Sequence, residues 1–383
     1  MGLGCHDNTF LETGPTHLMV NTGRGSSQKK MVEIDWENED HRRCITACLV
    51  KATYVLEDEY ETEATMQLAP AWWESFHFSR LGPDMFACDC VCDFCKNFGP
   101  QPNIRYSRGV VFEYVPPDGA SRHPSAPRYI VAFRGTMPLN PNIFGDMRLN
   151  LRIVLNKRHL CSRFCEAHER IGELVDSTAD ADSTCSAVWL TGHSLGASIA
   201  LEVGREMMKQ GFNLPTFLYN PPHVSLEPVS NLFRVPEKAK QAVYLGGSFV
   251  KYAMAKTILR SQRKHMVTVF GKLSPWVPEL YVHQRDWICN GFINQLELQE
   301  KVQKRFPKII MSAETLACRD LLHRSAMFGS GIKRERLHLL PSARLWKNSS
   351  PDENAHELKQ WWKPDQMLSS RLYSGLECWP ELC

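Results

Sequence analysis

Of the 383 residues, 45 are Lys or Arg and 42 are Asp or Glu, a formal net charge of +3; charges this balanced and interspersed exclude the basic face of a nucleic-acid binder. No stretch reaches the roughly 18 uncharged apolar residues of a membrane span, and the start of the chain lacks a basic segment followed by an apolar run, so a cytoplasmic, soluble protein is expected. Without a visible secretion signal, the 14 cysteines read as free thiols rather than as a disulfide framework.

Residues 1–30 carry Gly, Ser and Thr without hydrophobic periodicity, and a mobile tail is expected there. Gly2 and Cys5 hint at an acylation signal, although His6 stands where Ser or Thr is preferred. From His41 to about Tyr60, the positions Cys44, Ile45, Cys48, Leu49, Ala52, Val55 and Leu56 recur at steps of three and four, predicting an amphipathic helix. Trp72, Trp73, Phe76 and Phe78 read as core packing, with an apolar acyl-binding surface as the other reading. Cys88, Cys90, Cys92 and Cys95 have the chemistry of zinc ligands, but there is no second pair at finger-like distance, and a variable loop is the plainer reading. No metal site is assigned.

Gly109 to Val115 predicts a strand, and Tyr129 to Phe133 a second one closing on Arg134-Gly135-Thr136. Phe164, Ala167, Ile171, Leu174 and Val175 mark a helix, Ala187 to Leu190 a buried strand, Ile199 to Val203 a helix, and Thr216 to Tyr219 another strand. This βαβ rhythm implies a mainly parallel sheet flanked by helices. The basic segment 237–264 looks helical and is open to three readings: a cap, a membrane-surface helix, or a plain surface insertion. Val277 to Val282 predicts a strand, Asn294 to Arg305 and Leu316 to Met327 helices, and Leu337 to Trp346 the last strand signal. Trp361-Trp362 closes the core.

Between the strand ending near Leu190 and the helix beginning near Ile199 lies Gly192-His193-Ser194-Leu195-Gly196. G-x-S-x-G in a strand-turn-helix context is the signature of a nucleophile elbow: the glycines admit close approach of helix and strand, and the serine hydroxyl stands at the helix N-terminus. Such a serine needs a base, and the base needs a carboxylate to orient it. Asp286, just after a predicted strand, and His356, after the last one, supply these in the order Ser, Asp, His; Asp320, His323, His338 and His283 are rivals. His193 is expected to pack beside the serine. The backbone N–H groups of Leu195 and Thr136 are the candidate oxyanion hole, with Asp146 a candidate support for that loop.

Arg134-Gly135-Thr136, Gly192-His193-Ser194-Leu195-Gly196-Ala197 and the later Asp and His resemble the class 3, or fungal-type, lipases, a family of α/β-hydrolases. The match is closer to a plant branch labelled GDSL esterase/lipase-like, through His41-Arg42-Arg43, Leu68-Ala69-Pro70-Ala71-Trp72-Trp73, Tyr219-Asn220-Pro221-Pro222, Tyr281-Val282 with Asp286, and Ala355-His356 with Gln360-Trp361-Trp362. That label notwithstanding, no Gly-Asp-Ser-Leu block occurs. The resemblance implies an α/β-hydrolase domain over residues 31–366, with 237–264 as a cap insertion and 367–383 as a tail. It further implies Ser194 as nucleophile, Asp286 as acid, His356 as base, and Thr136 with Leu195 at the oxyanion. The expected activity is ester hydrolysis on acyl lipids through an acyl-enzyme, with transient lipid-surface contact and no cofactor. The other class of function the sequence leaves open is a catalytically idle, lipase-like signalling or interaction protein. Two departures stand out, the Cys88 to Cys95 run and Trp287 directly after Asp286.

Overall fold

The computed structural model describes residues 18–21, 30–32, 34–61, 72–82, 109–117, 120–135, 162–179, 187–223, 260–303, 340–351, 354–364 and 368–374. Two short strands, β1 (Met19–Asn21) and β2 (Lys30–Val32), pair antiparallel. The remaining strands form one eight-stranded sheet: β3 (Phe78–Arg80), β4 (Gly109–Tyr114), β5 (Tyr129–Phe133), β6 (Val188–His193), β7 (Thr216–Tyr219), β8 (Glu279–His283), β9 (Ala343–Asn348) and β10 (Leu368–Tyr373). They lie side by side in chain order, parallel from β5 to β9 and antiparallel at both edges. The helices are α1 (Glu39–Glu61), α2 (Ser162–Ala179), α3 (Leu195–Lys209), α4 (Arg260–Leu273) and α5 (Gly291–Gln303). One helix is described between each consecutive pair of parallel strands, as a βαβ rhythm requires.

The alternation of side chains along each strand divides the core in two. Tyr129, Val131 and Phe133 of β5 join Val188 and Leu190 of β6, Leu218 of β7 and Leu280 of β8 beneath α2, α3 and α5. Ile130 and Ala132, with Trp189, Phe217, Tyr219 and Tyr281, face α1 and the 3-10 turn Leu358–Trp362. Both faces are covered, so β5, β6 and β7 are buried at every residue and show no apolar-polar alternation. Asn38 opens α1 by accepting the Asp40 N–H at 2.9 Å, and Glu39 and Asp40 add acidic charge in the first turn. Cys44, Ile45, Ala47, Cys48, Leu49, Val50, Ala52, Val55 and Leu56 of this helix are all buried. This is wider than a single amphipathic stripe because Trp361 and the strands cover it from two directions.

Three expectations shift. Within 1–30, read as a mobile tail, Leu18 is buried and Met19–Asn21 form β1, paired with β2. The stretch from 367, also read as a tail, supplies β10, hydrogen-bonded to β9 from Leu368 opposite Asn348 to Tyr373 opposite Ala343. As an edge strand with its four central residues exposed, β10 has no apolar alternation to announce it. Of the last predicted strand, Ala343 to Trp346 lies in β9 and Leu340 is buried outside it, while 337–339 lie outside the described residues. The expected segment 237–264 meets the described residues only at the start of α4, which runs on to Leu273; its cap reading lies outside them, as do Leu316 to Met327 and Cys88 to Cys95. Among the described residues no helix is long and apolar enough to cross a membrane, and no group of side chains suits a metal ion.

The glycine requirement at the start of α3 is steric. A Cβ on Gly192 would lie 2.5 Å from the Gly196 carbonyl oxygen, and one on Gly196 would strike the backbone of Phe133 and Arg134. Gly172 in α2, by contrast, has nothing within 4 Å of where its Cβ would be. In urea unfolding, Gly192→Ala is therefore expected to lose about 1–3 kcal/mol or more through overpacking, and Gly172→Ala to gain about 0.5–1 kcal/mol from better helix propensity. Equal effects at the two positions would contradict this account.

Candidate active site

The carboxyl ends of β6, β7 and β8, together with the turn before Leu358, bring the candidate residues to one edge of the sheet. Ser194 stands between β6 and α3 with φ 53 and ψ −124, a strained backbone for a residue with a side chain. Its N–H donates to the Tyr219 carbonyl at 2.9 Å, anchoring the turn to the end of β7. Leu195 begins α3 and is buried. The first N–H groups of a helix have no partner within it, so the N–H of Leu195 is placed where an anion would find a donor. Thr136 and Asp146 lie outside the described residues. Gly135, which precedes Thr136, is described: a Cβ built on it would come within 3.0 Å of Ser194 Cβ, so the end of the β5 segment lies against the serine.

Asp286 follows β8 and is 2 % exposed. His356 Nδ1–H donates to its Oδ2 at 2.7 Å. That bond fixes the tautomer: with the proton on Nδ1, the Nε2 of a neutral His356 carries a free lone pair, as a general base requires. Oδ2 also accepts from the Asn220 amide at 2.7 Å and from the Cys289 thiol at 3.1 Å, and Oδ1 accepts the Ile288 N–H at 3.0 Å. Burial alone would raise the Asp286 carboxyl, but the hydrogen bond and charge of His356, with the Cys289 and Ile288 bonds, hold it below the usual carboxylate value. The same burial, beside that carboxylate, pushes the Cys289 thiol well up, so it remains a donor.

Asn220 is the residue that sequence reasoning left without a role. It is fully buried, with φ 46, a left-handed conformation that asparagine tolerates better than most residues. Its amide N–H groups reach Asp286 Oδ2 and, at 3.0 Å, the Ala355 carbonyl, while its Oδ1 accepts the Trp361 indole N–H at 2.6 Å. One side chain thus ties the acid, the turn that carries the histidine and the closing aromatic turn. The available signal was Asn220 itself: a polar residue directly after the strand Thr216–Tyr219 and before two prolines.

Of the rival candidates, His283 is described and sits apart from this pair. It is buried, with Nδ1 accepting the Arg285 N–H at 3.1 Å and Nε2 lying 3.3 Å from Ser350 Oγ. Asp320, His323 and His338 are outside the described residues. Trp287 is 39 % exposed while its neighbours Asp286 and Ile288 are buried, so the departure it represents leaves the acid's surroundings intact. His193, as expected, packs beside the site: its ring centroid is 4.9 Å from that of His356, and its Nε2–H donates to the His356 carbonyl at 2.9 Å. Among the described residues, no hydrogen bond joins Ser194 Oγ to the His356 imidazole.

Two measurements follow from these environments. Asn220→Ala strands the Trp361 N–H and removes a donor from Asp286, with an expected loss of about 1–3 kcal/mol in chemical denaturation. Burial, and secondarily the nearby His356, pushes His193 down to about 3. Its folded value is thus below the ordinary 6.5, so unfolding takes up a proton between those values. The stabilisation that depends on a neutral His193 is complete above about pH 6.5 and declines as the pH falls toward about 3, by on the order of a few kcal/mol. Unfolding free energies measured across that range should fall more steeply for the wild type than for His193→Gln; parallel curves would contradict it.

No protein-family profile matches the chain. A protein of Arabidopsis thaliana named GDSL esterase/lipase is 29% identical to it over 382 residues, a match spanning 95% of this chain and 97% of that protein.

Proposed function

We propose that this protein is a carboxylic ester hydrolase, an esterase or lipase, on an α/β-hydrolase fold of the class 3 lipase kind, acting on acyl lipids. The observation that carries the reading is the strained backbone of Ser194 between β6 and α3, on the same edge of the sheet as the hydrogen-bonded Asp286 and His356. Strain at a serine in this position has a chemical use, since it presents the hydroxyl ahead of the helix N-terminus. The likeness to a GDSL esterase/lipase over nearly the whole chain supports the reaction class.

In this mechanism Ser194 Oγ attacks the ester carbonyl and His356 Nε2 takes its proton. Asp286 holds the Nδ1–H and stabilises the imidazolium that forms. The N–H groups of Leu195 and Thr136 hold the oxyanion of the tetrahedral intermediate. The imidazolium then protonates the departing alcohol, and water, activated by the same histidine, releases the acid from Ser194. The hydrogen bond from Ser194 to His356 forms as substrate binds, a tightening that catalytic groups commonly undergo on leaving the resting state.

The test is labelling with a fluorophosphonate probe beside turnover of esters with short to long acyl chains. Wild-type protein should label and turn over, Ser194→Ala should do neither, and His356→Ala and Asp286→Asn should each lower kcat by about 10³–10⁴-fold or more. Folded wild-type protein that neither labels nor turns over any ester would overturn this reading in favour of a catalytically idle interaction protein.

A further inference from the structure

A chain of hydrogen bonds runs beneath Ser194 and joins the two sides of the site through α1. Tyr54 Oη accepts the Gly135 N–H at 2.7 Å and lies 2.9 Å from His193 Nδ1. His193 Nε2 is 2.9 Å from the His356 carbonyl oxygen. A carbonyl oxygen only accepts, so the His193 proton is on Nε2. Burial keeps His193 neutral, with its value pushed down to about 3, so Nδ1 is an acceptor and the Tyr54 hydroxyl donates to it. Burial of the phenol pushes Tyr54 up to about 12, which keeps that proton in place. Every donor and acceptor in the chain is thereby assigned: Gly135 N–H to Tyr54 Oη, Tyr54 O–H to His193 Nδ1, and His193 Nε2–H to His356 O.

The two ends of the chain are the two parts of the site that must be held at a fixed separation. At one end, the Gly135 N–H is consumed by Tyr54 and so is not available to an oxyanion; the bond instead fixes the Arg134–Gly135 peptide plane at the end of β5. At the other end, the bonded carbonyl belongs to His356 itself. His193 lies between them, at the end of β6 and next to the serine. The Tyr54 and His193 rings meet edge to face at 6.0 Å, a contact that does not need the hydroxyl.

We propose that Tyr54 is a positioning residue, whose hydroxyl acts through His193 to set the oxyanion turn at Gly135 in register with the backbone of His356. The proposal rests on the hydrolase reading above. Tyr54→Phe keeps the ring and its packing while leaving the Gly135 N–H and His193 Nδ1 without partners. His193→Gln retains an N–H donor for the His356 carbonyl and cuts the link on the Tyr54 side. A misplacement of about 1 Å at a reacting centre costs about 10²-fold in rate.

The experiment is steady-state turnover of p-nitrophenyl butyrate by the full chain, comparing wild type, Tyr54→Phe, His193→Gln and the double variant. Each single variant should lose about 10–100-fold in kcat with KM within about twofold. The double variant should be no slower than the slower single one, because both substitutions cut the same link. Wild-type kcat in Tyr54→Phe, a rise in KM at unchanged kcat, or multiplicative losses in the double variant would overturn the proposal. If Tyr54→Phe does not fold, His193→Gln reads the same link: a fall in its kcat alone supports the proposal, and wild-type kcat overturns it. A wild-type protein without turnover would instead mark the failure of the hydrolase reading, and of this proposal with it.

Discussion

A carboxylate with 1 % of its side chain exposed is tolerable only if donors surround it, and Asp286 gathers them from three directions. The donors are the His356 imidazole, the Asn220 amide, the Cys289 thiol and the Ile288 N–H. They come from the turn before Leu358, from the end of β7, and from the turn that carries Asp286 itself. Burying this one charge therefore fixes the relative positions of separate chain segments, and the ends of β7 and β8 are held by the same demand that orients the imidazole. The site and the local fold share a single electrostatic requirement.

The sheet makes that gathering possible. Because the strands lie in chain order, the carboxyl ends of β5, β6, β7 and β8 fall side by side on one edge, and the turns after them deliver Gly135, Ser194, Asn220 and Asp286 to neighbouring places. Each comes from the end of a different strand. The face covered by α1 contributes differently. Most of that helix is apolar packing, but Tyr54 carries a hydroxyl to the underside of the site, so a helix about 140 residues before the serine shapes its surroundings. Thr46 of the same helix ties it to β7, with its hydroxyl 2.6 Å from that of Tyr219.

Periodicity and local motifs made the central elements legible. α1, α2, β4 to β9 and the elbow all follow from apolar spacing or from the steric needs of Gly192 and Gly196, which are properties of residues near one another in the chain. Ser194 was legible for the same reason, since strand, turn and helix lie within about fifteen residues. β10 was not, because an exposed edge strand pairs through its backbone and leaves its side chains free of any pattern.

The sequence by itself determined the two-faced apolar strands, the helices between them, the glycine-bounded turn around Ser194, and the order of Ser, Asp and His. It could not determine which acid and which histidine meet, because that depends on bringing residue 286 within 2.7 Å of residue 356, seventy positions further along the chain. Nor could it assign Asn220 and Tyr54. The functions of these two lie wholly in partners distant along the chain, and an asparagine or a tyrosine carries no local mark of a partner that only the folded chain supplies. Long-range hydrogen bonds to a buried charge are decided by tertiary structure, since only burial makes each of them obligatory.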